Sequence, residues 1–225
     1  MRPLSARWAH LRAVLFDLDG TLIDSAEDLA RTANAMRADR GLAPLPLAQY
    51  RPYGGSGARG MLGEAFAVEP GRREYEELKH EFLDRYEGLM YANTRPFNGI
   101  EAELAALSAA GLAWGIVTNK AERFALPLAA SLRLDAAVVV GGDTTPYTKP
   151  HPAPLLEAAR RLGMSPQSCL YVGDDERDVI AGRAAGMATA VAAWGYLGKD
   201  ADHSAWGADA ELVAPGALLK LLGLA

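Results

Sequence analysis

The chain has 225 residues, half of them hydrophobic, with 23 basic and 28 acidic side chains and a net charge of -5. That length accommodates one large domain or a core carrying a smaller insert, and an acidic balance without any long run of Lys or Arg argues against a nucleic-acid groove. The single cysteine, Cys169, excludes an intramolecular disulfide and a cysteine-rich zinc site.

His10, His80, His151 and His203 fall at no close metal-ligand spacing and are read as surface residues. The first dozen residues contain no sustained apolar stretch, and no later segment reaches about 18 uninterrupted apolar residues. The expectation is a soluble cytoplasmic protein, monomer or homodimer, with a small-molecule partner and neither membrane nor nucleic acid among its ligands.

The first element is the apolar run Ala13-Val14-Leu15-Phe16, a buried strand by length and composition, which empties into Asp17-Leu18-Asp19-Gly20-Thr21. Acids separated by one residue share a strand face, and Gly20 lets the backbone curl so that both can meet one substrate. Beside a metal, such a pair can divide the work between nucleophile and general acid/base. A solvated turn is the other reading of the same residues.

From Ser25 to about Ala92, charged and apolar residues alternate at helical spacing, as in Leu29, Ala33 and Met36, and later Leu78, Phe82 and Tyr86. Ser25 with Asp28 three residues on reads as a variant capping box. Pro44, Pro46, the turn Gly54-Gly55-Ser56-Gly57 and Pro70-Gly71 interrupt the helices, and Pro96-Phe97-Asn98-Gly99 reads as a return hinge. The predicted organisation is an inserted helical domain over 25–95 within a core made of 11–24 and 96–225.

Downstream, strands are predicted at 112–117, 136–140, 169–173 and 188–193, alternating with helices near 100–110, 122–133, 152–162 and 175–185, and a short helix closes the chain at 215–222. This alternation predicts an α/β fold with right-handed crossovers and a doubly wound parallel sheet. Three of these strands also lead into polar groups: Thr118-Asn119, then Lys149 beyond a short loop, then Asp174, Asp175 and Asp178. In an open parallel sheet such groups converge in the crevice beyond the carboxyl ends of the strands. Taken singly, Thr118-Asn119 can cap the next helix, Lys149 can be a solvated charge, and Asp174-Asp175 can favour a helix N-terminus.

In this order and these settings, the four segments resemble the four-motif signature of the haloacid dehalogenase-like hydrolases, from Leu11 to the C-terminus. The resemblance implies a Rossmann-type core and a phosphomonoester hydrolase. Asp17 would be the nucleophile that forms an aspartyl phosphate, and Asp19 the general acid/base. Thr118, Asn119 and Lys149 would hold the phosphoryl group. Mg²⁺, which prefers hard oxygen ligands, would be bound by Asp17, Asp174 and the backbone carbonyl of Asp19, with Asp178 orienting Lys149 or a metal-bound water.

The insertion directly after the first motif resembles the helical cap of phosphoglycolate phosphatase and β-phosphoglucomutase relatives. Arg59, in Tyr50–Met61 where those relatives carry a substrate-contacting segment, is expected to grip a substrate carboxylate through two parallel hydrogen bonds; a solvated helix-face arginine is the other reading. The turn Gly54-Gly55-Ser56-Gly57 departs from the V-G-x-G pattern common in phosphoglycolate phosphatases. With Phe82-Leu83-Asp84-Arg85-Tyr86, Trp114–Lys120 followed by Arg123-Phe124, and Trp206-Gly207-Ala208-Asp209, it is more similar to the N-acetylmuramic acid 6-phosphate phosphatases. The implied substrate is a small carboxylated phosphate ester, 2-phosphoglycolate or N-acetylmuramic acid 6-phosphate. The alternatives are a sugar-phosphate mutase of the β-phosphoglucomutase type and a phosphoaspartate signalling module; the motif order and the insertion oppose the latter.

Overall fold

A computed structural model describes residues 4–225. In chain order the elements are β1 (Ala13–Phe16), β2 (Ile23–Asp24), α1 (Ala26–Asp39), α2 (Leu47–Tyr50), α3 (Gly57–Phe66), α4 (Arg73–Leu89), β3 (Arg95–Pro96), α5 (Ile100–Ala109) and β4 (Ala113–Val117). They continue as α6 (Glu122–Ser131), β5 (Val139–Val140), α7 (Ala153–Leu162), β6 (Cys169–Gly173), α8 (Glu176–Ala184), β7 (Ala188–Ala192), β8 (Ala210–Leu212) and α9 (Ala217–Leu222).

All four side chains of β1 are buried, so the strand belongs at the middle of a sheet covered on both faces. It pairs in parallel with β4 on one side and β6 on the other, with Phe16 opposite Ile116 and Val172. The full order is β5-β4-β1-β6-β7-β8, parallel throughout. The period of two divides β1 between two cores: Ala13 and Leu15 pack with Leu155, Ala158 and Ala181 from α7 and α8, whereas Val14 and Phe16 pack with residues such as Leu107, Leu128 and Leu218 from α5, α6 and α9. The predicted α/β class and doubly wound parallel sheet are what the chain forms. Neighbouring strands diverge to either side of β1, so its carboxyl end is the switch point where a ligand crevice opens.

The strand predicted at 136–140 shortens to Val139–Val140, because Ala136 bonds locally to Leu134 before the chain joins the β4 ladder. The edge strand β8 was not predicted; its three residues are too few to display a period.

Residues 26–89 form α1 to α4, and Met36, Met61, Leu62, Phe82 and Tyr86 bury the faces between these helices. Two short crossings connect them to the sheet, and these crossings pair antiparallel as β2 and β3, with Asp24 opposite Arg95. The predicted capping box at Ser25 is absent. Asp28 is wholly buried and needs donors there. It finds them in the return crossing, accepting the Asn93 N–H at 2.9 Å, the Thr94 N–H at 2.9 Å and the Thr94 hydroxyl at 2.9 Å. Ser25 turns its hydroxyl instead toward Asp19.

Cys169 is free and buried. His10, His80 and His151 are exposed, while His203 is half-buried beside Trp206 and 3.4 Å from Glu211. No helix among the described residues is long and apolar enough to cross a membrane.

Candidate active site

The turn after β1 brings Asp17 against the β6 end, where Asp174 follows the strand and Asp178 lies in the first turn of α8. Carboxylate oxygens of Asp17, Asp174 and Asp178 lie within 4.8 Å of one another, and all three residues are buried. Gly20 makes this approach possible: its φ is +86°, and a Cβ there would overlap the Asp174 carboxylate. Asp174 is held from both sides, by the Thr21 hydroxyl at 2.9 Å and the Tyr196 N–H at 2.8 Å.

Lys149 reaches the same cluster from the loop after β5. Only 3% exposed, its ammonium lies 2.9 Å from Asp17, 2.7 Å from Asp178 and 2.8 Å from the Tyr171 hydroxyl. Burial opposes the lysine charge, but Asp17 and Asp178 outweigh it and hold its pKa above the ordinary lysine value. Burial, followed by repulsion from Asp17 and Asp178, pushes the Asp174 carboxyl well above the usual carboxylate range. Burial raises Asp178 in the same direction despite the attraction of Lys149. One lysine against three buried carboxylates leaves negative charge uncompensated, and the donor set is all oxygen. Both properties fit a hard divalent cation.

Asp175, by contrast, fulfils the helix-cap reading: its side chain accepts the Arg177 N–H at 2.9 Å, and the Asp178 carboxylate in turn accepts the Asp175 N–H at 3.1 Å. Thr118 and Asn119 do not cap α6, whose N-cap is Ala121. Thr118 is buried at the β4 end, and its hydroxyl oxygen accepts the Lys120 N–H at 3.2 Å. Asn119 commits its amide to the backbone of Lys149, donating to the carbonyl at 3.0 Å and accepting from the N–H at 2.9 Å.

Asp19 is held by partners of its own, outside the acid cluster. Its carboxylate accepts from the Ser25 hydroxyl at 2.5 Å and from the Lys120 ammonium at 3.1 Å on each oxygen. The two acids of the first turn thus occupy different electrostatic settings at one mouth.

A cavity of about 510 Å³ joins Asp17, Asp19, Thr118 and Lys149 on the sheet side to Arg59 of α3 and Phe82 of α4 on the helical side. Arg59 is exposed to this space. Arg123, from the first turn of α6, also lines it and stacks 4.4 Å from the Phe124 ring centroid. The cavity thus gathers Asp17, Asp19, Arg59, Thr118, Asn119, Lys149 and Asp178, with Asp174 beside Asp17 and Asp178. A model of the haloacid dehalogenase-like hydrolase family matches residues 14–192. The chain belongs to the haloacid dehalogenase-like hydrolases.

This haloacid dehalogenase-like hydrolase is 50% identical over 207 residues to a phosphoglycolate phosphatase of Xanthomonas campestris pv. campestris strain 8004, covering 91% of this chain and 93% of that one. It is 42% identical over 215 residues to an N-acetylmuramic acid 6-phosphate phosphatase of Pseudomonas aeruginosa, covering 95% of each. Its fold matches a predicted phosphoglycolate phosphatase from Haemophilus somnus 129pt with a TM-score of 0.83 at 27% identity, over 94% of this chain and 98% of that one.

Other residues at the hydrolase's site carried no usable signal in sequence. Lys120 directly follows Thr118-Asn119, but nothing local says that it turns back to Asp19. Arg177 pairs with Asp175 and donates to the Gly55 carbonyl at 2.8 Å, bridging α8 to the turn before α3. Tyr196 lies in an irregular loop yet joins Asp174, through its N–H, to the Ser25 N–H, which its hydroxyl accepts at 2.8 Å.

Proposed function

We propose that this chain is a Mg²⁺-dependent phosphomonoesterase acting through a covalent aspartyl phosphate on a small phosphate ester that also carries a carboxylate. The observation that carries this reading is the buried Asp17, Asp174 and Asp178 cluster with its single lysine, set at the carboxyl ends of the strands beside a separately held Asp19. Phosphate-monoester hydrolysis is among the slowest uncatalysed reactions, so charge stabilisation and positioning must supply on the order of 20 kcal/mol.

Asp17 attacks phosphorus in line. Asp19 protonates the departing alcohol and then deprotonates the water that hydrolyses the phosphoenzyme. Lys149 offsets charge on Asp17 and on the transferring phosphoryl, Thr118 donates its hydroxyl to a phosphoryl oxygen, and Asn119 fixes the Lys149 backbone. Asp178 orients Lys149. Asp17, Asp174 and the Asp19 carbonyl are the proposed ligands of Mg²⁺, which supplies neutralising positive charge when bound. Residues 25–95 act as a cap over the core formed by 11–24 and 96–225, excluding water from the cavity.

Arg59 is the proposed carboxylate anchor. It faces the cavity, and neither it nor Arg123 has an ion pair among the described residues. A two-carbon acid fills little of 510 Å³, and Phe82, Tyr75 and Phe124 offer apolar wall. The cavity therefore favours N-acetylmuramic acid 6-phosphate over 2-phosphoglycolate. The test is Mg²⁺-dependent phosphate release, comparing kcat/KM for these two esters and a panel of sugar phosphates. The muramic ester should lead. A leading 2-phosphoglycolate would reverse the substrate assignment, and failure on all esters would remove the phosphatase reading.

A further inference from the structure

Lys120 is almost wholly withdrawn from water, with its side chain 8% exposed. An ammonium in that setting is retained only where acceptors replace its hydration. Its acceptors come from both halves of the molecule. The two Asp19 oxygens lie at 3.1 Å each, and the Tyr86 hydroxyl of α4 lies at 2.9 Å. The same nitrogen lies 4.7 Å from the centroid of the Tyr86 ring.

An ammonium has three N–H donors. Asp19 and Tyr86 use all three, which leaves none to grip a substrate. Contact with both Asp19 oxygens sets where the carboxylate sits, and the Ser25 hydroxyl just before α1 holds it from another direction. Tyr86 is itself fixed, stacked on Phe82 at 6.1 Å and edge-on to Phe124 at 5.6 Å. Ser25 and Tyr86 thus belong to the segment 25–95, and Lys120 is tied to it through the Tyr86 hydroxyl.

We infer that Lys120 is a positioning residue for Asp19, and that Tyr86 makes this seat depend on α4 being docked over the sheet. Asp19 is then correctly placed for proton transfer only when the helical segment covers the cavity. The inference rests on the phosphatase reading, in which Asp19 moves the leaving-group proton.

The test compares kcat/KM for an alkyl phosphate, whose alcohol must be protonated as it leaves, with p-nitrophenyl phosphate, whose phenolate leaves without help. This parameter reports the steps through the first irreversible one, which include departure of the leaving group. Lys120→Met should lower the alkyl value about 10²-fold but the aryl value by no more than about threefold, the size expected for a misplaced general acid. Tyr86→Phe keeps both ring contacts and should lower the alkyl-to-aryl ratio in the same direction by a smaller factor. If Lys120→Met does not fold, Tyr86→Phe alone decides.

Equal losses on the two esters, or a rise in KM without loss of kcat, would overturn the assignment in favour of a structural or substrate-binding lysine. Wild-type enzyme that releases phosphate from neither ester would remove the phosphatase reading and this role with it. Wild-type turnover with unselective losses removes the Lys120 role alone.

Discussion

The Lys149 ammonium sits between two buried carboxylates, 2.9 Å from Asp17 and 2.7 Å from Asp178. Removing it strands both acids beside Asp174. Breaking a buried charge pair in this way costs about 3–5 kcal/mol, so Lys149→Met should lower the Tm of metal-free protein and reduce kcat/KM by about 10²-fold or more. Lys149→Arg should not restore the rate, because a planar guanidinium cannot replace a compact ammonium in this enclosure. Near-native turnover in either variant would contradict the proposed role.

Uncompensated charge in the acid cluster predicts a stabilising response to Mg²⁺. At about 100 times its dissociation constant, a ligand specific for the folded state adds about 2.7 kcal/mol, a Tm rise of about 5–10 °C for a chain of this size. Asp174→Asn should abolish that shift, and chelation of the metal should stop phosphate release. A Tm that ignores Mg²⁺ in the wild-type protein would count against the cluster as a metal site.

Much of this site is legible in the chain because each chemical group directly follows an apolar run whose end locates it. Asp17, Thr118 and Asp174 are of this kind. Lys149 lies beyond a loop, and it took the convergence of strand ends in an open parallel sheet, together with the ordered resemblance to a family, to place it with them. The surroundings of Asp19 were not legible at all. Ser25 and Asp28 have capping-box spacing, but burial and the donors of residues 93–94 decided their partners. Lys120 and Tyr86 meet across two elements whose contact no local pattern encodes.

Arg59 gives a prediction on specificity. A hydrogen-bonded charged contact is worth about 1.5–3 kcal/mol, so Arg59→Ala should cost about 10- to 10²-fold in kcat/KM on carboxylated esters and less than about threefold on a neutral aryl phosphate. Equal losses on both would make Arg59 structural or phosphate-directed.

Away from the site, Glu103 on α5 is 1% exposed. One of its oxygens accepts the Gly216 N–H at 2.6 Å, while the other is buried without a hydrogen-bond partner. Burial raises its pKa, with the Gly216 bond acting in the opposite direction. As pH rises, the unfolded chain ionises at the ordinary glutamate value of about 4.3 before the folded one does. Stability associated with Glu103 is thus full below that value and lost as pH rises through the higher folded pKa. Glu103→Gln retains an acceptor for Gly216 and should gain in Tm relative to wild type as pH rises above the ordinary glutamate value of about 4.3. A difference in Tm independent of pH would contradict this.

The most direct measurement is acid quenching of the Asp19→Asn variant during its first turnover of p-nitrophenyl phosphate with Mg²⁺, followed by peptide mass analysis. An activated leaving group still departs without Asp19, but hydrolysis of the phosphoenzyme is then slow. The account predicts a burst of p-nitrophenol matched by one phosphoryl group on the peptide containing Asp17, and neither signal in Asp17→Asn. A burst with no phosphoryl group on Asp17, or turnover that survives Asp17→Asn, would contradict it.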